Sequence, residues 1–371
     1  MKNSGRRGGD RFDVAPDGEF VSLCFRELLG RDVDPASRQL FLDFLAGGGT
    51  RFAMIRTVVG SPEHFWHQAG QLFSKGPLAD LRPLRPAQYG RATIREGPEE
   101  AVTFRVDSPR DFDWLEEMIL RQGFYDAPDV WTLTIDTDKR ILAEIAQRFG
   151  PCRVLEIGCS TGAVIGLLRE AGILAEGTEV SHLALVLAIG NARSGIHFGD
   201  LTTLSLDPGY DLILGMDVFE HLNPNRLPRF LARCHELLAN GGFLVANIPA
   251  FGPDPVFGEV FDPYLSAWRA ELDGGAPFSV LHTDEKGWPL HGHLVNASWT
   301  WWQGTFESAG FRRETDVERA LGSVYRDHFK AHTPARQTLY VFSKGGPTPE
   351  AIATVTDGIL SSGSPVLKSL S

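Results

Sequence analysis

The chain has 371 residues, 43% of them hydrophobic, and a formal net charge of −11 at pH 7. This composition is typical of a globular protein of two or three domains, and it argues against a nucleic-acid partner, which usually requires a basic face. The four cysteines lack the spacing of a metal site or a disulfide framework, as is usual in a reducing compartment. Neither a signal peptide nor an apolar stretch of about 18 residues is visible. We therefore expect a cytoplasmic protein without a membrane span.

The first predicted elements form a small helical domain over residues 18–75, after a polar segment, 1–17, that we expect to be disordered. Helix boundaries are marked by caps or glycine stops at Gly30, Asp34, Gly47, Thr50 and Ser61. Apolar residues at helical spacing predict the buried faces of the first three helices: Val21, Cys24, Phe25, Leu28, Leu29; Leu40, Phe41, Phe44, Leu45; and Phe52, Ile55, Val58, Val59.

The sequence of this helical domain resembles a known family over residues 18–70. The stretches F-V-S-L-C-F-R-E-L-L-G-R-D-V-D and V-V-G-S-P-E-H-F match a small bacterial helical domain of unknown function. Phe25 stands where that pattern has tyrosine, and Thr50 where it has serine. The family often occurs beside enzymes of surface-glycan assembly. The resemblance implies that this domain could contact a protein partner; the alternative is that these are simply capped core helices.

A proline-containing linker is predicted over residues 76–110, followed by a larger domain over 111–345 and a flexible tail over 346–371. Two helices open the larger domain. Strands then alternate with helices, and the predicted strands are 153–157, 173–178, 195–198, 211–216, 243–248, 312–317 and 338–343. This alternation predicts an α/β domain with a doubly wound parallel sheet.

The stretch V-L-E-I-G-C-S-T-G, residues 154–162, lies where the first strand meets its helix. Ligands bind at the carboxyl ends of strands in such sheets, and Gly158 and Gly162 allow a close approach of the backbone. Glu156 would repel a pyrophosphate but suits a ligand with a positive charge. Glu179 follows at the distance of a ribose-binding acid, and Asp200 could accept a hydrogen bond from an adenine amine. These acceptors describe S-adenosylmethionine better than NAD.

Residues 135–345 resemble the class I S-adenosylmethionine-dependent methyltransferases. The family motifs correspond to Glu156, Gly158, Ser160 and Gly162 after the first strand, Glu179 after the second, Asp200 and Leu201 after the third, and Asp217, Glu220 and His221 after the fourth. Ser160 replaces the middle glycine of the first motif. The resemblance implies a seven-stranded Rossmann-like sheet and S-adenosylmethionine as the cofactor. Glu156 would lie near its methionyl end, unless it bonds turn amides instead.

His221, His293 and Asp217 are the candidate catalytic residues. A histidine at the rim of the fourth strand could take the proton of an acceptor hydroxyl, although it could also brace a loop. Asp217 is a candidate base or orienting group. His291 and His293 could form a metal pair, but no third ligand is identifiable in the sequence, so no metal is predicted.

Residues 250–298 form an insert before the next predicted helix, and five of the eight tryptophans lie between residues 268 and 302. Tryptophan stacks on sugar rings but also packs in cores. The insert and the N-terminal resemblance together favour O-methylation of a sugar or glycan-related intermediate. A non-catalytic cofactor-binding scaffold, a small aromatic or lipid-linked acceptor, and a nitrogen acceptor remain alternatives.

Overall fold

The structure, a computed structural model of the chain, describes residues 15–59, 61, 94–96, 101–121, 123–126, 133–284 and 287–369. It divides into two compact units, Met1–Leu81 and Arg82–Ser371. The predicted helix after Ser61, most of the predicted disordered segment and most of the predicted linker lie outside the described residues.

The first unit contains the helices α1 (Asp17–Leu29), α2 (Pro35–Ala46) and α3 (Arg51–Val59). The predicted boundaries are confirmed: Gly30 ends α1 with a φ of +66°, and the side chain of Asp34 accepts a hydrogen bond from Ser37 N at 2.8 Å. The buried cluster is centred on α1 and α3: Ala15, Phe20, Val21, Cys24, Phe25, Leu29, Met54 and Val58.

The predicted buried faces of α2 and α3 are only partly correct. Leu40 and Phe44 on α2 are 66% and 41% exposed, and Phe52 on α3 is 73% exposed. On α2, Phe41, Leu42 and Leu45 are partly buried against this cluster, and the ring centroid of Phe41 lies 5.8 Å from that of Phe25. Only part of each predicted face therefore packs against the cluster, and Leu40, Phe44 and Phe52 remain exposed.

The second unit contains the strands β1 (Ile94–Glu96), β2 (Ala101–Arg105), β3 (Arg153–Ile157), β4 (Leu174–Glu179), β5 (Ile196–Phe198), β6 (Tyr210–Met216), β7 (Leu238–Asn247), β8 (Pro253–Asp254), β9 (Gly258–Glu259), β10 (Val280–Thr283), β11 (Phe311–Arg313) and β12 (Leu339–Lys344). Its helices are α4 (Pro109–Arg121), α5 (Thr137–Arg148), α6 (Ala163–Glu170), α7 (His182–Val186), α8 (Leu227–Leu237), α9 (Ser266–Glu271), α10 (Trp299–Ser308), α11 (Thr315–His332), α12 (Pro349–Ser362) and α13 (Pro365–Lys368). No helix in the described part of the chain is long and apolar enough to cross a membrane.

The main sheet has seven strands in the order β11-β12-β7-β6-β3-β4-β5. Strands β7, β6, β3, β4 and β5 are parallel, whereas β12 runs antiparallel to both β7 and β11. Buried clusters cover both faces, which is why strands such as β3 read as nearly continuous apolar runs. The predicted Rossmann-like sheet is confirmed. The predicted sixth strand is shorter than expected because α11 begins at Thr315.

The predicted linker is wrong over residues 101–110. Strand β2 lies within it and pairs antiparallel with β1 and with β10, where Phe104 faces Leu281. The insert is therefore tied to the segment that precedes the main sheet. The signal was missed because β2 is only five residues long and one of its partners comes from a distant part of the chain.

The predicted flexible tail is wrong over residues 349–368. Helix α12 buries Val355 and Ile359 in the core beneath the main sheet. The chain beyond it is held by Arg148, whose guanidinium donates to the carbonyl of Gly363 at 2.8 Å. The segment is rich in Ser, Thr and Gly, which favours a loop, but Val355 and Ile359 are four residues apart and lie on one face of the helix.

Candidate functional site

A cavity of about 330 Å³ lies at the carboxyl ends of β3, β4 and β6. Eight of the predicted site residues line it: Glu156, Gly158, Ser160, Glu179, Asp200, Leu201, Asp217 and His221. Gly162 and His293 are not among the lining residues that the structure describes. The topology of the sheet thus brings together strand-end residues that are far apart in the sequence.

The turn after β3 depends on three residues with left-handed backbone. Gly158, Ser160 and Gly162 have φ values of +65°, +49° and +74°. A Cβ on Gly158 would lie 2.7 Å from a methyl of Val218, so the turn has no room for a side chain there. Ser160 adopts the conformation that glycine favours, which explains why the family motif has glycine at this position.

Glu179 organises this turn from the end of β4. Its Oε2 accepts a hydrogen bond from Ser160 N at 2.7 Å, and its Oε1 accepts from Val180 N and Ser181 N at 2.7 and 2.8 Å. Burial raises the pKa of the carboxyl, and these amide bonds oppose the rise. A carboxylate has about four lone-pair directions, so three amides leave one for a ligand.

Glu156 is buried at the end of β3. Its Oε2 has no hydrogen-bond partner among the described residues. Burial raises the pKa of the carboxyl to about 8, opposed by the charge of Lys139, which also lines the cavity. Glu179 accepts the amide bonds of the turn, and Glu156 has a backbone hydrogen bond with Ile165 in the first turn of α6. A buried acceptor without a partner favours a ligand with a positive charge or a donor.

Asp200 and Leu201 follow β5. Asp200 Oδ1 accepts hydrogen bonds from the amide and the hydroxyl of Thr202 at 2.7 and 2.8 Å. Its Oδ2 lies 4.0 Å from the guanidinium of Arg226, which also lines the cavity. Leu201 is buried and supplies an apolar wall beside this carboxylate. The pair offers one apolar surface and one acceptor, which is suitable for a nucleobase.

Asp217 comes directly after β6 with a φ of +52°, an unusual conformation for a residue other than glycine. Its Oδ2 accepts from Arg336 Nε at 3.0 Å, and Arg336 also donates to Asp138 at 2.9 Å. Burial raises the pKa of Asp217, and Arg336 opposes this. The ion pair with Arg336 thus holds the Asp217 carboxyl group in place and opposes its protonation.

His221 and His293 lie side by side although 72 positions separate them in the sequence. Their ring centroids are 4.9 Å apart. Nδ1 of His221 lies 3.2 Å from the carbonyl of Gly292 and must carry the proton, since a carbonyl only accepts. Nε2 is then the basic nitrogen of the ring. Burial lowers the pKa of His221 to about 4 and that of His293 well below its usual value, so both rings are neutral at pH 7.

Sequence reasoning did not single out several residues of the cavity wall, among them Tyr125, Lys139 and Arg336. Lys139 lies in the first turn of α5, a helix that the sequence predicts. No local pattern in the sequence indicates that its charge lies near Glu156. Arg336 lies in a short 3-10 turn before β12, where no local pattern marks it. Only the sheet order places that turn opposite Asp217.

The tryptophans of the insert pack in the core instead of lining the cavity. Trp268 is stacked on Phe278 at 5.5 Å and donates from Nε1 to the carbonyl of Val280 at 2.7 Å. Trp288 and Trp302 are also buried. Within the described ranges none of the five lines the cavity. The five tryptophans therefore pack against other apolar residues and do not offer a sugar-stacking surface in this cavity.

Residues 154–242 match the family model described as "Methyltransferase domain". The chain contains a methyltransferase domain. The predicted family is thereby confirmed for the segment that carries Glu156, Glu179, Asp200, Asp217 and His221.

The methyltransferase domain also has similar proteins of known name. The chain is 26% identical over 196 residues to the release factor glutamine methyltransferase of Agrobacterium fabrum, which covers 52% of this chain and 60% of that protein. The chain thus spans less than two thirds of that relative's length. An S-adenosylmethionine-bound amino pentose methyltransferase from Micromonospora echinaspora is 18% identical, over 56% of this chain and 90% of that one, with a TM-score of 0.37. A 1,6-didemethyltoxoflavin-N1-methyltransferase from Burkholderia thailandensis is 16% identical, over 68% and 97%, with a TM-score of 0.40.

Proposed function

We propose that the chain binds S-adenosylmethionine in this cavity and transfers its methyl group to a hydroxyl of a sugar or glycan-related intermediate. One observation carries the methyltransferase assignment: the matched segment, residues 154–242, supplies the turn, the two buried glutamates and Asp200, and all of them line one cavity. A dinucleotide site would not place at the end of the first strand a buried carboxyl group of which one oxygen has no hydrogen-bond partner among the described residues.

Each part of the cofactor has a complementary group. The remaining lone pair of Glu179 accepts from the ribose hydroxyls, and Asp200 Oδ2 accepts from the adenine amine beside Leu201. The carboxylate of Glu156 faces the positively charged methionyl end. The left-handed turn at Gly158 and Ser160 lets the backbone approach the ligand.

The reaction is an in-line displacement at the methyl carbon. The bond between sulfur and methyl breaks with its electron pair on sulfur, and a bond forms between the acceptor oxygen and methyl. The hydroxyl proton passes to Nε2 of His221, the candidate base. Catalysis of this step comes mainly from positioning. Asp217, fixed by Arg336, and His221 line the side of the cavity next to β6, where the acceptor would enter.

The choice of a sugar acceptor is supported by the resemblance of the N-terminal domain and not by the tryptophans. The experiment is to incubate the chain with cofactor carrying a radiolabelled methyl group and with sugar nucleotides and fractionated bacterial extract. Label in a protease-resistant carbohydrate fraction is the expected result. Label in protein would contradict the sugar acceptor. Cofactor binding without label in any fraction would instead indicate a non-catalytic binding protein.

The affinity for S-adenosylhomocysteine should rise with pH through the titration of Glu156. Because its pKa is raised to about 8, the carboxyl is mostly neutral at pH 6 in the unliganded protein. The protonated amino group of the ligand favours the carboxylate, so binding releases a proton below the pKa. We expect the association constant to rise up to about tenfold per pH unit between roughly pH 5 and 7 and to level off above pH 8.

Calorimetric titrations across this range, in buffers of different ionisation enthalpy, would measure both the slope and the released proton. Glu156→Gln should flatten most of the slope, because the amide keeps the shape of the side chain but does not titrate. An unchanged slope in this variant would contradict the placement of Glu156 at the charged end of the ligand.

A further inference from the structure

Three metal-ligating side chains meet beside the end of β6. Glu220 and His221 belong to the 3-10 turn Phe219–His221, and His293 follows the turn Leu290–Gly292 of the insert. One ligand atom from each lies within 4.8 Å of the other two. His293 is therefore grouped with Glu220 and His221, which precede it by about 70 residues, and not with His291.

The backbone holds these side chains together. The amides of Leu294 and Val295 both donate to the carbonyl of Glu220, at 2.8 and 2.9 Å. This double contact sets the segment after His293 against the turn that carries Glu220 and His221. The cluster is therefore built into the join between the insert and the main sheet.

Glu220 is the observation that points to a ligand. Glu220 is 1% exposed, and its Oε2 has no hydrogen-bond partner among the residues that the structure describes. A buried carboxyl oxygen without a hydrogen-bond partner is costly unless a cation binds it or the group takes up a proton. The nearby Asp217 adds negative charge, and its own cation, Arg336, is already engaged with it and with Asp138.

His221 is oriented as a metal ligand would be. Its Nδ1 is directed at the carbonyl of Gly292, so the proton stays on Nδ1 and the lone pair is on Nε2. Metal-binding histidines usually have this outer hydrogen bond to a carbonyl or a carboxylate, which fixes the ring and its tautomer.

We propose that Glu220, His221 and His293 bind a divalent transition-metal cation. Two imidazole nitrogens and one carboxylate suit manganese, iron, cobalt or zinc better than magnesium or calcium. Three protein ligands would leave coordination positions open, and His221 is the member of the cluster that also lines the cavity. On the proposed methyltransferase function, which this role rests on, the metal binds the acceptor oxygen and makes its hydroxyl more acidic. His221 and His293 then act as ligands, and the proton leaves to solvent.

Cobalt is the probe for the test because its d–d absorption reports ligand geometry. The tag-free chain, stripped with a chelator, is titrated with Co²⁺ and followed by visible absorption and by metal analysis after desalting. We expect one Co²⁺ per chain. Glu220→Gln and His293→Asn should each weaken binding at least about a hundredfold, since loss of a ligand exceeds the effect of an outer-sphere change.

His291→Asn is the matched control. His291 lies in the same turn, is exposed and stands outside the cluster, and asparagine tolerates its φ of +55°. This variant should bind Co²⁺ like the wild type. Calorimetry with S-adenosylhomocysteine on all four proteins separates failure of the metal site from failure of the cofactor site or of folding. Absence of stoichiometric Co²⁺, or equal affinity in wild type and in the two cluster variants, would overturn the metal site and return His221 to the role of a base.

Discussion

Glu179→Ala should reduce the affinity for S-adenosylhomocysteine by more than a hundredfold. The carboxylate has two functions in this structure. It accepts three amide hydrogen bonds that shape the turn after β3, and it offers its last lone pair to the ribose. A charge-assisted hydrogen bond contributes about 1.5–3 kcal/mol, and tenfold in affinity corresponds to about 1.4 kcal/mol, so loss of the ligand bond and of the turn geometry together exceeds two orders of magnitude. Isothermal titration calorimetry measures this directly.

Glu176→Ala is the matched control on the same strand. Glu176 is also buried in part and bonded, to Arg153 at 3.0 Å and to the hydroxyl of Tyr210 at 2.9 Å, but it does not line the cavity. Its removal should lower the melting temperature without changing the affinity for the ligand. If Glu179→Ala binds as tightly as the wild type, Glu179 does not hold the ribose. If both variants lose binding alike, the loss reflects the stability of β4.

Arg313→Met should lower the free energy of unfolding by about 3–5 kcal/mol, because it leaves two buried carboxylates without their cation. Arg313 donates to Asp254 on β8 and to Glu318 on α11, and the three side chains are 3%, 3% and 0% exposed. Burial raises the pKa of Glu318 to about 7 even beside Arg313. Without Arg313 the pKa of Glu318 rises further, so at pH 5 the carboxyl is neutral in both proteins and at pH 8 only the wild type compensates its charge. The loss of stability should therefore be larger at pH 8 than at pH 5. Urea unfolding at both values measures it.

Arg312→Met is the control, one position away on β11. Arg312 pairs with Glu314 at 2.8 Å, but its own side chain is 56% exposed. The side chain of Glu314 is 7% exposed and also accepts a hydrogen bond from the hydroxyl of Ser343, so it keeps a partner when Arg312 is removed. Because solvent screens the exposed Arg312, this variant should lose much less stability than Arg313→Met. Equal stability of the two variants would show that the buried cluster does not anchor the insert.

The predicted strands and strand-end residues agree closely with the structure because their signals are local. Strand β3 has the predicted bounds, 153–157, and the predicted helix from Trp299 begins there. An apolar run, a glycine turn and an acid at a fixed spacing are all readable within about ten residues. Since parallel strands end at one edge of the sheet, Glu156, Glu179 and Asp200 could be placed together before any coordinates.

The roles of individual site residues could be predicted less well. The sequence could not show that Glu179, rather than Glu156, accepts the turn amides, since both follow strands in the same way. It also could not show that Asp217 is paired, because Arg336 lies in a turn 119 positions away. Contacts of this kind depend on which strand ends are neighbours, and no periodicity encodes them.

The sequence by itself determined the parallel strands of the sheet, the glycine turn after its first strand and the acids around that turn, because each follows from neighbouring residues. Only the tertiary structure decided the insert and the tail. The pairing of β2 with β10, the burial of the tryptophans and the meeting of Glu220, His221 and His293 all join segments that are distant in the chain. Such contacts form because burying apolar surface from both segments stabilises them jointly, and that gain has no counterpart in either segment taken separately.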